Sequence, residues 1–256
     1  MSETTRVNKF NLPRYIPEDV RREVRQRDGF GCIFCALPII QYEHVDPVYV
    51  EARSHTVEGI TLLCPTCHQK VTGGQISKNM VKKQMLTPKA KSEGIVKDLL
   101  YFCDEHPTVI LGGSTFVECD VPVSVLGHDI ISIEKEDNHF LLNAQIWDSQ
   151  GRQTLKIVKN EWQCDHDSVW DLTTVGNTIT IREGKGLPTL TIKIEENKRF
   201  IIEKFNMQIS GKTCRGTSAT VTLSGNEKEL RATGYKNEIV GKSLYMENCG
   251  IGLMLW

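Results

Sequence analysis

Four of the nine cysteines fall in two Cys-x-x-Cys pairs, Cys32/Cys35 and Cys64/Cys67. Each pair puts two thiolates on one tight turn. Two such turns brought together make a tetrahedral four-sulfur site, which suits zinc and stays closed to substrate. A module of this size buries too little apolar surface to fold on its core alone, so the ion would supply folding energy. A redox pair would need only one Cys-x-x-Cys, and a disulfide framework would not need pairing so local.

Between the pairs lies Glu43-His44-Val45-Asp46-Pro47. An acid beside a histidine on a short extended stretch offers two different chemistries at neighbouring positions. The carboxylate can hold a hard cation, and a neutral imidazole can take a proton from water. A cation beside a scissile phosphate offsets the charge that develops there. His68 follows Cys67 directly. With four sulfurs for the zinc, His68 is free to face elsewhere, and it is expected to open the next helix with its ring turned from the knuckle.

The ordered pattern Arg21…Asp28-Gly29-x-x-Cys32-x-x-Cys35…Glu43-His44-x-x-Pro47…Leu63-Cys64-x-x-Cys67-His68 resembles the HNH endonuclease family, with its ββα-metal fold. The likeness covers about residues 14–75. It implies that His44 is a general base and that Glu43 and His68 are ligands of a catalytic divalent ion, magnesium or manganese. It implies a structural zinc on Cys32, Cys35, Cys64 and Cys67, and double-stranded DNA as the partner, cut by hydrolysis of a phosphodiester bond. The chain departs from the family pattern at Gly59, where the family usually carries an asparagine that supports the metal or fixes the base. Glu58 and His55 stand nearby. A catalytically degenerate zinc-dependent DNA-binding module and a structural or protein-interaction protein are the alternatives.

The elements that must position these residues are legible from breakers and periodicity. Pro17 to Arg27 reads as a helix, with Glu18 and Asp19 at its positive end and Asp28-Gly29 as its stop. Val57 to Leu63 is an apolar run leading into the second cysteine pair. From His68 the pattern reads as helical, interrupted at Gly73-Gly74 and Pro88, and continues to about Glu105. Ile95, Leu99 and Phe102 share a face at helical spacing.

After Pro107 the chain turns to short β-type runs between turn signals, clearest at 141–147, 154–158, 178–182, 189–194, 200–205 and 218–223. Two segments look alike: 140–160 and 177–194 each read as strand, glycine-containing turn and strand. The expected architecture is α+β. It comprises a zinc-stapled ββα-metal domain over 1–87, a helical linker over 88–111, and an all-β domain over 112–256, sandwich-like or built of stacked hairpins. Asp165-His166-Asp167 reads as a surface turn, and Trp147, Trp162 and Trp170 as core or pocket lining. This domain is expected to serve recognition, regulation, a protein contact or homo-oligomer formation. A weak likeness to β-rich domains attached to bacterial nucleases implies a phage-defence setting.

The 256 residues carry a formal charge of -1 and 39% hydrophobic residues, an ordinary globular composition with no apolar run of membrane-spanning length. The polar start, Met1 to Arg6, does not read as a secretory signal, so a cytoplasmic location is expected. The five scattered cysteines (Cys103, Cys119, Cys164, Cys214, Cys249) then read as small buried residues. Basic residues concentrate locally: Lys70, Lys78, Lys82, Lys83, Lys89, Lys91 and Lys97 face only one acid, Glu93, between His68 and Lys97. Such a face can hold a phosphate backbone even on a neutral chain.

Overall fold

Pro17 stands immediately before α1 (Glu18–Asp28), whose acids lie in the first turn and whose Arg25 and Arg27 lie in the last, as the helix dipole favours. Gly29 ends the helix in the left-handed region at φ 80°. A Cβ there would come within 2.6 Å of the Lys91 backbone nitrogen, so only glycine fits. The computed structural model describes residues 7–186, 188–217, 220–224, 231–232, 237–240 and 243–255. The chain divides into two units, Met1–Lys97 and Asp98–Trp256. Together they form an α+β architecture: a small cysteine-rich unit with helices, then a β-rich unit of several sheets.

In the first unit, β1 (Gln41–His44) and β2 (Ile60–Leu63) form an antiparallel hairpin, followed by α2 (Pro65–Thr72), α3 (Lys78–Met85) and α4 (Lys89–Glu93). All four β2 residues are buried, and period-two alternation sends them to two small cores. Ile60 and Leu62 pack with Ile16 and Val24 of the α1 side. Leu63 packs with Cys32, Ile33, Val45, Cys64, Cys67, Val71 and Val81. Each such aliphatic side chain contributes about 1.5–3 kcal/mol when removed from water. Asp28, fully buried, ties α1 to β2: its Oδ2 accepts from the Thr61 hydroxyl at 2.7 Å and the Leu62 N–H at 3.0 Å. Arg27 neutralises that carboxylate and also donates to the carbonyls of Val57 and Ile60.

The expected helix to Glu105 ends at Glu93. Gly94 takes a left-handed φ of 77°, and Ile95–Leu99 forms a strand, β3. The linker expected to be helical over 88–111 therefore holds one five-residue helix and then extended chain. The apolar residues 95, 96, 99 and 100 suit either period. β-Branched Val96, fully buried, settles the extended form.

The second unit contains β4 (Thr108–Leu111), β5 (Ser114–Val117), β6 (Val121–Val125), β7 (His128–Glu136), β8 (His139–Trp147), β9 (Gln153–Val158) and β10 (Glu161–Asp165). It continues with β11 (Asp171–Val175), β12 (Thr178–Arg182), β13 (Leu190–Glu195), β14 (Arg199–Ile209), β15 (Lys212–Thr217) and β16 (Val221–Ser224). The last are β17 (Arg231–Ala232), β18 (Asn237–Val240), β19 (Ser243–Glu247) and β20 (Ile251–Leu255). One sheet runs β17-β20-β6-β7-β8-β9-β10 within this unit. The other runs β11-β12-β13-β14-β4-β5-β19-β18, with β15 and β16 attached at β14. The look-alike segments are the hairpins β8–β9 and β12–β13, one in each sheet. Stacked hairpins alone do not describe the unit, because β14 with β4, β19 with β5 and β20 with β6 pair in parallel. The run expected at 218–223 begins at two positions, 218 and 219, outside the described residues, as does the polar start at 1–6.

Two of the scattered cysteines are not buried thiols: Cys119 and Cys249 form a disulfide across a sequence separation of 130. Cys103 is exposed, while Cys164 and Cys214 are buried as expected. Trp162 is a core residue, 2% exposed. Trp147 instead borders an open cavity of about 430 Å³ with His128, Gln150 and Gln208. In the Asp165-His166-Asp167 turn the two acids are exposed, but the His166 side chain is only 9% exposed and its Nδ1 meets Asp167 at 2.9 Å. Asp165 caps the turn by accepting from the Asp167 N–H.

Candidate functional site

The two cysteine pairs converge. The Sγ atoms of Cys32, Cys35, Cys64 and Cys67 all lie within 4.8 Å of one another, and those of Cys35 and Cys64 are 3.5 Å apart. A tetrahedral ion with Zn–S bonds of about 2.3 Å needs sulfurs about 3.8 Å apart, so the quartet fits a structural metal such as zinc. Its electrostatics point the same way. A hydrogen bond from Cys35 is the main cause that pulls Cys32 down to about 5. The same bond pushes Cys35 up. Burial, followed by the charge on Cys32, pushes Cys67 up to about 12. Four thiols this close cannot all ionise unless a cation balances them.

The second pair also starts a helix. Cys64 is the N-cap of α2, its sulfur accepting from the Cys67 N–H at 3.4 Å, with Pro65 in the first turn. The helix therefore begins at Pro65, not at His68 as the sequence suggests. His68 lies one turn in, and its Nε2 sits 2.8 Å from Glu43 Oε2. The side chains are 32% and 13% exposed, so the pair lies at the edge of solvent.

Adjacent strand residues point to opposite faces, and Glu43 and His44 obey that rule. Glu43 pairs across the hairpin with Thr61 and turns towards α2 and α3. Its other oxygen takes an ion pair from Lys78 of α3, whose ammonium also donates to the His44 carbonyl at 2.7 Å. Lys82, one turn further on, pairs with Asp46 at 2.6 Å. His44 pairs with Ile60 and turns the other way. There its ring meets Tyr49 edge-on at 5.3 Å between centroids and His55 at 5.2 Å. Burial first, and then the charge of His55, pushes His44 down to about 4, so the ring is neutral near pH 7.

No known family model, curated protein or solved structure matches this chain.

Glu43 and His68 are brought together, while His44 is on the same strand but the opposite face. Two ligands at right angles on an ion about 2.1 Å from each would be about 3.0 Å apart. The 2.8 Å separation of Glu43 and His68 is compatible with shared coordination. Among the described residues, the cysteine quartet is the one group of three or more metal-ligating side chains.

Gly59 lies where the hairpin returns. Its carbonyl accepts from the Val45 N–H at 2.8 Å, and its N–H donates to the Thr56 hydroxyl at 3.2 Å. A Cβ at 59 would approach the Asp46 carbonyl oxygen to 2.6 Å and the Thr56 hydroxyl to 2.9 Å. The position is glycine because two backbones meet there. His55, which the sequence placed only nearby, is in contact with His44. Asp28, which the sequence offered only as part of a helix stop, is the buried tie between α1 and β2.

Proposed function

We propose that the first unit is a metal-dependent endonuclease that hydrolyses DNA phosphodiester bonds, with His44 as general base, Glu43 and His68 as ligands of a magnesium or manganese ion, and zinc on the cysteine quartet. The observation that carries this reading is the Glu43–His68 contact at 2.8 Å on a strand that also presents a neutral, half-buried histidine. It also agrees with the resemblance of residues 14–75 to HNH endonucleases.

His44 accepts the proton of the attacking water. The water oxygen forms the new bond to phosphorus, and the bond to the leaving sugar oxygen breaks. A divalent ion supplies charge neutralisation at the phosphate and leaving oxygen. Glu43 and His68 would hold that ion. The lysines of α3 and α4 would add positive charge for a phosphate backbone, with Lys78 and Lys82 engaged by Glu43 and Asp46. The cysteine quartet holds β2 and α2 in register, and so holds His68 opposite Glu43.

A second reading has an observation of its own. Lys78 already neutralises Glu43, so the site is charge-balanced without an added cation, which suits a zinc-dependent module that binds DNA without cutting it. Supercoiled plasmid separates the two. A nuclease converts it to nicked circles with magnesium or manganese and stops on chelation of that ion. A binding module only retards it on a gel.

We assign the β-rich unit to recognition, regulation or assembly, through a second copy or a protein partner. Its disulfide favours an oxidising setting, whereas four free thiols at a zinc site favour a reducing one.

A further inference from the structure

A neutral histidine has one ring proton and two nitrogens, and it can act as a base only at the nitrogen that carries the lone pair. In this chain the neighbours of His44 decide which nitrogen that is. Its Nε2 lies 3.0 Å from Nδ1 of His55. The Nε2 of His55 lies 2.9 Å from the carbonyl oxygen of Pro13. A carbonyl oxygen can only accept, so His55 carries its proton on Nε2 and, when neutral, presents a lone pair at Nδ1. His44 must then donate from Nε2. Its own lone pair is left at Nδ1, which no hydrogen bond reaches among the described residues.

The end of this relay is anchored. Residues 7–14 cross the loop that follows β1, with Val7 bridging to Pro13. The Asn8 side-chain amide donates to the carbonyls of Tyr49 and Ala52 at 2.6 and 2.7 Å. The Tyr49 hydroxyl donates to the Leu12 carbonyl at 2.8 Å. The Pro13 carbonyl is thereby held against His55, and Tyr49 fixes the edge of the His44 ring.

We propose that His55 is the positioning residue for His44: braced on the Pro13 carbonyl, it holds the His44 proton on Nε2 and leaves the lone pair on Nδ1. The catalytic part of this statement rests on reading His44 as the general base, whereas the direction of the hydrogen bond does not. It also accounts for how the base is oriented in a hairpin where Gly59 offers no side chain. Orientation by a second polar group is a recurrent device for histidine bases and ligands, and its loss costs roughly 10- to 100-fold.

The test is nitrogen-15 NMR of the zinc-loaded full chain, run beside plasmid nicking, for wild type, His55→Gln and His55→Ala. In wild type the shared proton should sit on His44 Nε2, exchange slowly with water, and show coupling across the hydrogen bond to His55 Nδ1. His55→Gln, whose amide can accept from His44 and donate to Pro13, should keep that proton protected and keep most of the nicking rate. His55→Ala should lose the protected proton and nick roughly 10- to 100-fold more slowly, with plasmid retention on a gel unchanged. A shared proton sitting on His55 instead, or His55→Ala nicking at the wild-type rate, overturns the proposal. Should His55→Ala fail to hold zinc, the wild-type and His55→Gln spectra decide it. If wild type cuts nothing, the nuclease reading fails, and the position of the proton still decides whether His55 orients His44.

Discussion

Glu43 Oε2 lies 2.8 Å from His68 Nε2, and this contact joins the first strand of the hairpin to the helix that begins at the second cysteine pair. The same carboxylate takes the ammonium of Lys78. Glu43 is thus shared between a group that can ligate a cation and a group that competes with one.

That sharing has a measurable consequence. Glu43→Ala and His68→Ala should each weaken Mn2+ binding, followed by electron paramagnetic resonance, by roughly 100-fold. Lys78→Met should tighten it modestly, by on the order of 1 kcal/mol, because the Lys78–Glu43 pair lies at the edge of solvent. Unchanged Mn2+ affinity in both alanine variants would remove the cation from this position.

The cysteine quartet should carry about one zinc per chain by elemental analysis. Strong chelators should melt the first unit, because the ion supplies much of its folding energy. Protons compete with zinc for the thiolates, so zinc release should increase as the pH falls. Cys64→Ser should do the same at neutral pH and also weaken the cap of α2. Circular dichroism that is indifferent to chelation would sink the staple.

Placing asparagine at the glycine of the hairpin return should harm the protein. Gly59→Asn drives a Cβ towards the Asp46 carbonyl, and overpacking of this kind costs about 1–3 kcal/mol. Thermal melting should show the loss, and nicking should not rise. A variant that is both stable and faster in nicking would contradict this packing account of Gly59.

The disulfide is open to a simple count. Unfolded, metal-stripped and unreduced protein should titrate seven thiols of the nine cysteines, since Cys119 and Cys249 are joined. Reduction should raise the count to nine. Nine thiols before reduction would contradict the bond.

Local signals were legible in the residue order. The cysteine pairs announce their site because each pair is one turn, and the divergence of Glu43 from His44 follows from their being strand neighbours. What depends on distant chain returning was not legible. His55 meets His44 only because the loop between β1 and β2 folds back under the strap at residues 7–14. Cys119 finds Cys249 through a parallel pairing of β6 with β20 that no local pattern encodes. The helix expected to Glu105 failed for a different reason. Ile95, Leu99 and Phe102 satisfy a helical period, but Gly94 at φ 77° stops the helix and Val96 turns inward from a strand. In the β-rich unit, turn residues marked most strands, while their order in the sheets was set by pairings between distant segments.

The most direct test compares the initial rate of supercoiled-plasmid nicking by wild type and His44→Ala, at equal zinc content and saturating Mn2+. General-base assistance is worth roughly 100- to 10,000-fold, so the variant should be slower by at least the lower figure while still retaining plasmid on a gel. Equal rates for the two proteins would contradict His44 as the base and, with it, the account of this site.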